Sequence, residues 1–198
     1  MAAKQWMVSC VLVVLGMAAL MVGCSQMGPT DSSTSDLAMN PPQNPPRHDY
    51  VEPAAPPPGY AYPTRNPNYH RVDDIPSASA FIVASLGGEC WLNGSGVVIQ
   101  PNAISSDQWI FLYEPSENEL YMEFENHGLV FDGAQYARIS YAGWNPPQGT
   151  SQEDLVVWYW NAEELTWEYI GGNNNVSGQY IEFDIYHFSR YIVAGPRM

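Results

Sequence analysis

Positive charge is scarce in this chain. Lys4 is its only lysine, and seven Lys plus Arg stand against 21 Asp plus Glu, a formal net charge of −14. From Ser77 onward three arginines, Arg138, Arg190 and Arg197, face 15 acids. Such a surface repels phosphate backbones, which argues against nucleic-acid binding, and it repels anionic membrane surfaces too. Cysteine is equally sparse, with only Cys10, Cys24 and Cys90. No sustained 3.6-residue period runs beyond Ala80, which argues against a helical domain. Gly-x-Ser-x-Gly, His-Glu-x-x-His, Cys-x-x-Cys and a phosphate-binding glycine loop are all missing, so no familiar catalytic, redox or nucleotide site is written here. Of four histidines, His48 and His70 stand singly before Ser77, and the two beyond it, His127 and His187, are too few for zinc. The acids Glu117, Glu119, Glu123 and Glu125, Asp73-Asp74 and Glu153-Asp154 lack the Asp-x-Asp-x-Asp-Gly order of a calcium loop. No cofactor and no metal is expected.

What is present begins at the N-terminus. Lys4 precedes an apolar run, Val11 to Val22, that stops at Gly23-Cys24-Ser25. A short positive start, an apolar stretch and a small residue describe a secretory signal. Trp6 to Cys24 is 19 residues, just long enough to span a bilayer, but the next cation is Arg47 and no stop-transfer cluster follows. Leu20-Met21-Val22-Gly23-Cys24 resembles the lipobox of bacterial lipoproteins. That resemblance implies removal of residues 1–23 and lipidation of Cys24. Each buried acyl CH₂ contributes about 0.8 kcal/mol, so several chains hold firmly where one does not. The expected address is the cell envelope, on the outer membrane if the cell is Gram-negative, since Ser25 rather than Asp follows the cysteine. Cys90 is then the only thiol left for chemistry, and it reads as a small buried hydrophobe.

Residues 24–76 read as a tether. Ser25 to Pro76 holds 12 of the 17 prolines. With so little to bury, the segment is expected to be disordered and extended. About fifty residues at roughly 3.1 Å each reach on the order of 150 Å.

Residues 77–198 read as one all-β domain, an antiparallel sandwich. Leu120, Met122 and Phe124 alternate with Tyr121, Glu123 and Glu125. Ala137, Ile139 and Tyr141 alternate with Tyr136, Arg138 and Ser140. Ile181, Phe183 and Ile185 alternate with Tyr180, Glu182 and Asp184. This is period-2 patterning. Turn signals fall between, among them Gly87-Gly88, Asn93-Gly94, His127-Gly128, Asn145-Pro146-Pro147 and Gly171 to Asn175. Leu155 to Trp160 and Thr166 to Ile170 read as a hairpin. Many short strands with regular turns imply a sandwich or a partly open barrel.

The landmarks of this domain resemble those of ZU5-type domains. Gly96 to Ile104 is similar to the opening strand and turn, with Asn102 where glycine is usual. His127-Gly128-Leu129-Val130-Phe131 resembles the middle motif, and Leu155 to Tyr159 with Trp167 the late hairpin. His187-Phe188-Ser189 followed by Arg190 to Val193 is similar to the closing strand. The resemblance covers about residues 86 to 194 and implies a β-sandwich used for protein docking, without a cofactor.

Two groups of residues carry functional expectations. The resemblance makes His187-Phe188-Ser189 a possible self-cleavage site. His187 would take the proton from the Ser189 hydroxyl, which would attack the Phe188 carbonyl, and water would release the ester. The alternative is a structural bend anchored by Phe188. Among the tryptophans, Trp144, Trp158, Trp160 and Trp167 are candidates to stack on a ligand such as a sugar, with Trp158 and Trp160 on one strand face. Filling the core is their alternative use. The expectation is a monomeric, non-enzymatic sandwich that docks a protein or glycan partner. Self-cleavage between Phe188 and Ser189, or a spacer with no specific ligand, are the other readings.

Overall fold

The computed structural model describes residues 55–69, 77–114 and 119–198. The expected signal peptide (1–23), Cys24 and residues 25–54 and 70–76 of the expected tether lie outside the described residues. The described chain forms β1 (Tyr60–Ala61), β2 (Thr64–Arg65), β3 (Ser77–Ile82), β4 (Gly88–Leu92), β5 (Ser95–Ile99), β6 (Gln108–Tyr113) and β7 (Tyr121–Phe124). It continues with β8 (Val130–Ser140), β9 (Trp144–Asn145), β10 (Val156–Asn161), β11 (Thr166–Gly171), β12 (Asn173–Asn175), β13 (Tyr180–His187) and β14 (Arg190–Pro196). One turn of 3-10 helix, Gln152–Asp154, is the sole helical element among the described residues.

The strands build two main antiparallel sheets and a two-stranded ribbon, β2-β9. One runs β11-β10-β14-β7-β6-β3, with β1 on the end of β14, and the other runs β12-β13-β8-β5-β4. Their inner faces supply one core. Ile110, Leu112, Met122, Phe124, Val157, Tyr191 and Val193 come from the first sheet, and Leu92, Val97, Ala137, Ile139, Ile181, Phe183 and Ile185 from the second. Met122, Phe124, Ala137, Ile139, Ile181, Phe183 and Ile185 are inward members of the alternations expected from sequence. Burying each large apolar side chain contributes about 1.5–3 kcal/mol. Cys90 is 3% exposed within this core, and burial pushes its thiol up from 9.0 to about 11.

Local chemistry explains the turns. Asn93 and Gly94 both have positive φ, 49° and 83°, the geometry of a two-residue hairpin that matches strand twist. They join β4 to β5 in register. Asn102 sits at φ 65°, a left-handed position that Asn tolerates better than most residues. The turn it makes seats Ala103 and Ile104 in the core. The β10–β11 hairpin also forms as expected.

Two expectations are corrected. Gly171 to Asn175 is not a simple turn. Gly171 and Gly172 carry the chain from one sheet to the other, and Asn173–Asn175 then pairs with β13. The Asn174 side chain fixes this short strand, accepting from the Tyr141 hydroxyl at 2.8 Å and donating to the Gln152 carbonyl at 2.6 Å.

The second correction concerns the boundary at 77. Residues 55–69, expected within the disordered tether, lie on the sandwich as a strap. Tyr60 and Ala61 pair with Pro196 and Gly195 of β14, and Thr64 and Arg65 pair with Asn145 and Trp144 of β9. Tyr60 and Tyr62 pack with Trp158 and Trp167 against Tyr121, Ile192 and Ala194, forming a second, smaller apolar cluster on the outer side of the first sheet. Tyr60 and Tyr62, with the buried Pro57 and Pro63, give this part of the tether apolar area to bury.

Candidate functional site

His187-Phe188-Ser189 is the crossing between the sheets. β13 ends at His187 in one sheet and β14 starts at Arg190 in the other. Phe188 is 1% exposed, stacked on Phe124 at 5.6 Å and edge-on to Phe131 at 5.1 Å. Its amide donates to the Leu129 carbonyl, and the Ser189 carbonyl accepts from the Phe124 amide, each at 3.0 Å. Ser189 Oγ donates to the Trp160 carbonyl at 3.4 Å. The His187 ring lies against Tyr159 at 4.7 Å. No hydrogen bond joins His187 to Ser189 among the described residues, and neither Phe188 nor Ser189 has the positive φ of a strained backbone. The tripeptide holds the two layers together at one end.

The tryptophan candidates separate. Trp144 is 4% exposed within the core, opposite Arg65 of the strap, so it offers no face to a ligand. Trp158 and Trp160 share the outer face of the first sheet, as their spacing requires. Trp160 is buried against Trp167 at 5.1 Å. Trp158 is half-buried between Tyr60 at 4.8 Å and Tyr169 at 5.2 Å. Trp167 is half-buried too, and its Nε1 donates to the Ala55 carbonyl at 3.0 Å. Burial, then the Glu119 charge, hold the Tyr62 hydroxyl far above its ordinary range. Three of the four candidates therefore meet, but the strap covers Trp158 and Trp167, and Trp160 is buried beside Trp167.

The exposed aromatic surface lies elsewhere. On the outer face of the second sheet, the Arg138 guanidinium sits between Trp91 at 4.6 Å and Tyr180 at 4.7 Å, a stacked arrangement favourable to arginine. Its Nε donates to the Gly94 carbonyl at 2.9 Å. Trp91 also lies over Gly96, where a Cβ would collide with the indole.

Beside this ladder is a groove of about 580 Å³, lined by Tyr136, Tyr169, Ile170, Gly172, Asn173, Glu182, Phe183, Asp184 and Tyr186. Tyr169 and Tyr186 are 60% and 57% exposed. The Tyr136 hydroxyl donates to Glu182 Oε1 at 2.7 Å. Burial and that bond push Tyr136 from 10.0 up to about 12, so it remains a neutral donor holding the carboxylate in place. Asp184 is exposed opposite Tyr136 on β8. No Lys or Arg lines the groove.

Sequence reasoning did not single out Tyr169, Tyr186 or Trp91. A signal existed for one of these positions, Tyr186: Tyr180, Glu182, Asp184 and Tyr186 form the outward half of an alternation whose inward half is apolar. No group of three or more His, Cys, Asp or Glu that could hold a metal occurs among the described residues.

No protein-family model and no curated protein matches the chain. Among the described residues, fold and surface define an all-β protein of two main sheets with a buried inter-sheet crossing and an acidic, tyrosine-lined groove.

Proposed function

We propose that this chain is a lipid-anchored protein of the cell envelope whose sandwich docks a protein or glycan partner through the groove on β11, β12 and β13. The observation that carries the reading is the pair of exposed tyrosines, Tyr169 and Tyr186, flanking Glu182 and Asp184 in a concave site. Pockets of roughly 300–1,000 Å³ with apolar walls and a few placed polar groups are the usual form of recognition sites. The lipobox-like Leu20 to Cys24 supports the anchor, and the ZU5 resemblance supports docking over chemistry. Ser25 supports outer-membrane placement where a cell has one.

Two measurements test the reading. Cys24→Ser should move the protein from the membrane fraction to the soluble fraction of the envelope, and retention on the membrane would sink the lipid anchor. Crosslinking in the native envelope should capture a partner with the wild type and lose it with Tyr169→Ala/Tyr186→Ala. Capture that is indifferent to both tyrosines would place docking elsewhere.

A further inference from the structure

We propose that the groove accepts an extended peptide segment carrying lysine or arginine, added as a strand along the open flank of β13. This rests on the reading that the groove is the docking site. β12 covers that flank only at Tyr180, Ile181 and Glu182, because Gly171-Gly172 then links back to β11 in the other sheet. From Phe183 to Tyr186 the flank has no strand partner among the described residues, while the opposite flank pairs with β8 through Ile185. β11 in turn pairs only with β10. The groove therefore lies between two open strand edges, whose unpaired amides and carbonyls are a template for another strand. Main-chain bonds to such an edge give affinity, and alternate side chains give selectivity.

The charge of the groove selects the side chains. Glu182 and Asp184 line it with no Lys or Arg among the lining residues, and the cation beside it is Arg138, the register partner of Glu182 on β8. Arg138, on the same sheet face, is committed to Trp91, Tyr180 and the Gly94 carbonyl. A strand's side chains alternate, so every second residue of the peptide meets Glu182 and Asp184, and the others meet Ile170. Lysine or arginine at the first set gains charge-assisted bonds to carboxylates and the nearby ring faces of Tyr169 and Tyr186. An uncharged glycan would use the tyrosines but gains nothing from an open strand edge.

A random heptapeptide display library selected on the full chain tests this. The expected result is enrichment of peptides with Lys or Arg at alternate positions. A selected peptide should bind Asp184→Lys at least about tenfold more weakly, and Asp184→Asn by a smaller factor. Asp184 is exposed, so both variants should keep the wild-type melting temperature. N-methylation of the peptide's alternate amides that face β13 should weaken binding by a similar factor, and methylation of the other set should not. Absence of basic enrichment, or indifference to N-methylation, overturns the proposal. Saturable binding of chitotetraose or cellotetraose, lost in Tyr169→Ala/Tyr186→Ala, with no basic peptide selected, overturns the peptide but leaves docking through the groove standing. Envelope capture indifferent to those tyrosines overturns the docking reading itself.

Discussion

Cys90 shows how burial decides a residue's chemistry. Its thiol lies in the core, and desolvation raises it from 9.0 to about 11. The thiolate is the nucleophile, so native Cys90 should react with a disulfide reagent only on unfolding. The same shift couples stability to pH. Below pH 9 both states hold the proton, and the full stabilisation is present. Between about 9 and 11 the unfolded chain releases the proton while the folded chain keeps it, so stability falls as pH rises. The expected slope is roughly 1.4 kcal/mol per pH unit in that window. Urea titrations at pH 8, 9, 10 and 11 should show it, and Cys90→Ala should remove that part of the slope. An unchanged slope would reject the assignment. At the other candidate nucleophile, Ser189 Oγ is bonded to the Trp160 carbonyl rather than to His187. Wild type and Ser189→Ala should each give a single full-length intact mass. Fragments ending at Phe188 in the wild type alone would establish cleavage.

At the scale of strands, what was legible in the sequence was whatever its neighbours in sequence determine. Asn93-Gly94 supplies two positive φ angles in a row, so that hairpin could be read directly. Ile181, Phe183 and Ile185 declare an inward face by alternation alone. β7 was only half legible. Leu120, Met122 and Phe124 face the core as expected, but Tyr121 and Glu123 are also buried, at 8% and 5%. Arg190, opposite Glu123 on β14, donates to its carboxylate at 2.7 Å and lies over the Tyr121 ring at 4.3 Å. For Tyr121 part of the outer cover comes from residues 55–69, distant in sequence, which a period-2 pattern cannot register. The groove was missed for a related reason. Alternation along β13 already turns Tyr186 outward, but aromatics in strands read as core, and only the three-dimensional placement of β11 beside β13 shows that Tyr169 is left outside on the same groove. Gly172 sets that placement. At φ 107° an added Cβ would meet Ile181 Cγ2 at 2.5 Å and the Glu182 carbonyl at 2.9 Å. Gly172→Ala should therefore lower stability by about 1–3 kcal/mol in urea denaturation and disturb the groove floor. Wild-type stability in that variant would show that the crossing tolerates another geometry.

For the whole molecule, the strap adds residues 55–69, before Ser77, to the folded unit. This takes residues 55–69 out of the tether that composition suggested, and it buries a second, small apolar cluster on the outer face of the seven-stranded sheet. The consequence is measurable by comparing residues 55–198 with 77–198. The longer piece keeps Tyr60 and Tyr62 against Trp158 and Trp167 and keeps the two short pairings with β9 and β14. The shorter one exposes those indoles and leaves the end of β14 without β1. Losing the burial of two tyrosines and their ring contacts should cost about 2–4 kcal/mol. It should also lower the urea m-value, since less surface is exposed on unfolding, and shift tryptophan emission to the red in the folded state. Tyr60→Ala/Tyr62→Ala in 55–198 should reproduce most of the stability loss without removing the backbone pairings, which separates side-chain burial from strand pairing. Equal stability of 55–198 and 77–198 would put the boundary back at 77 and reduce the strap to a passive part of the tether.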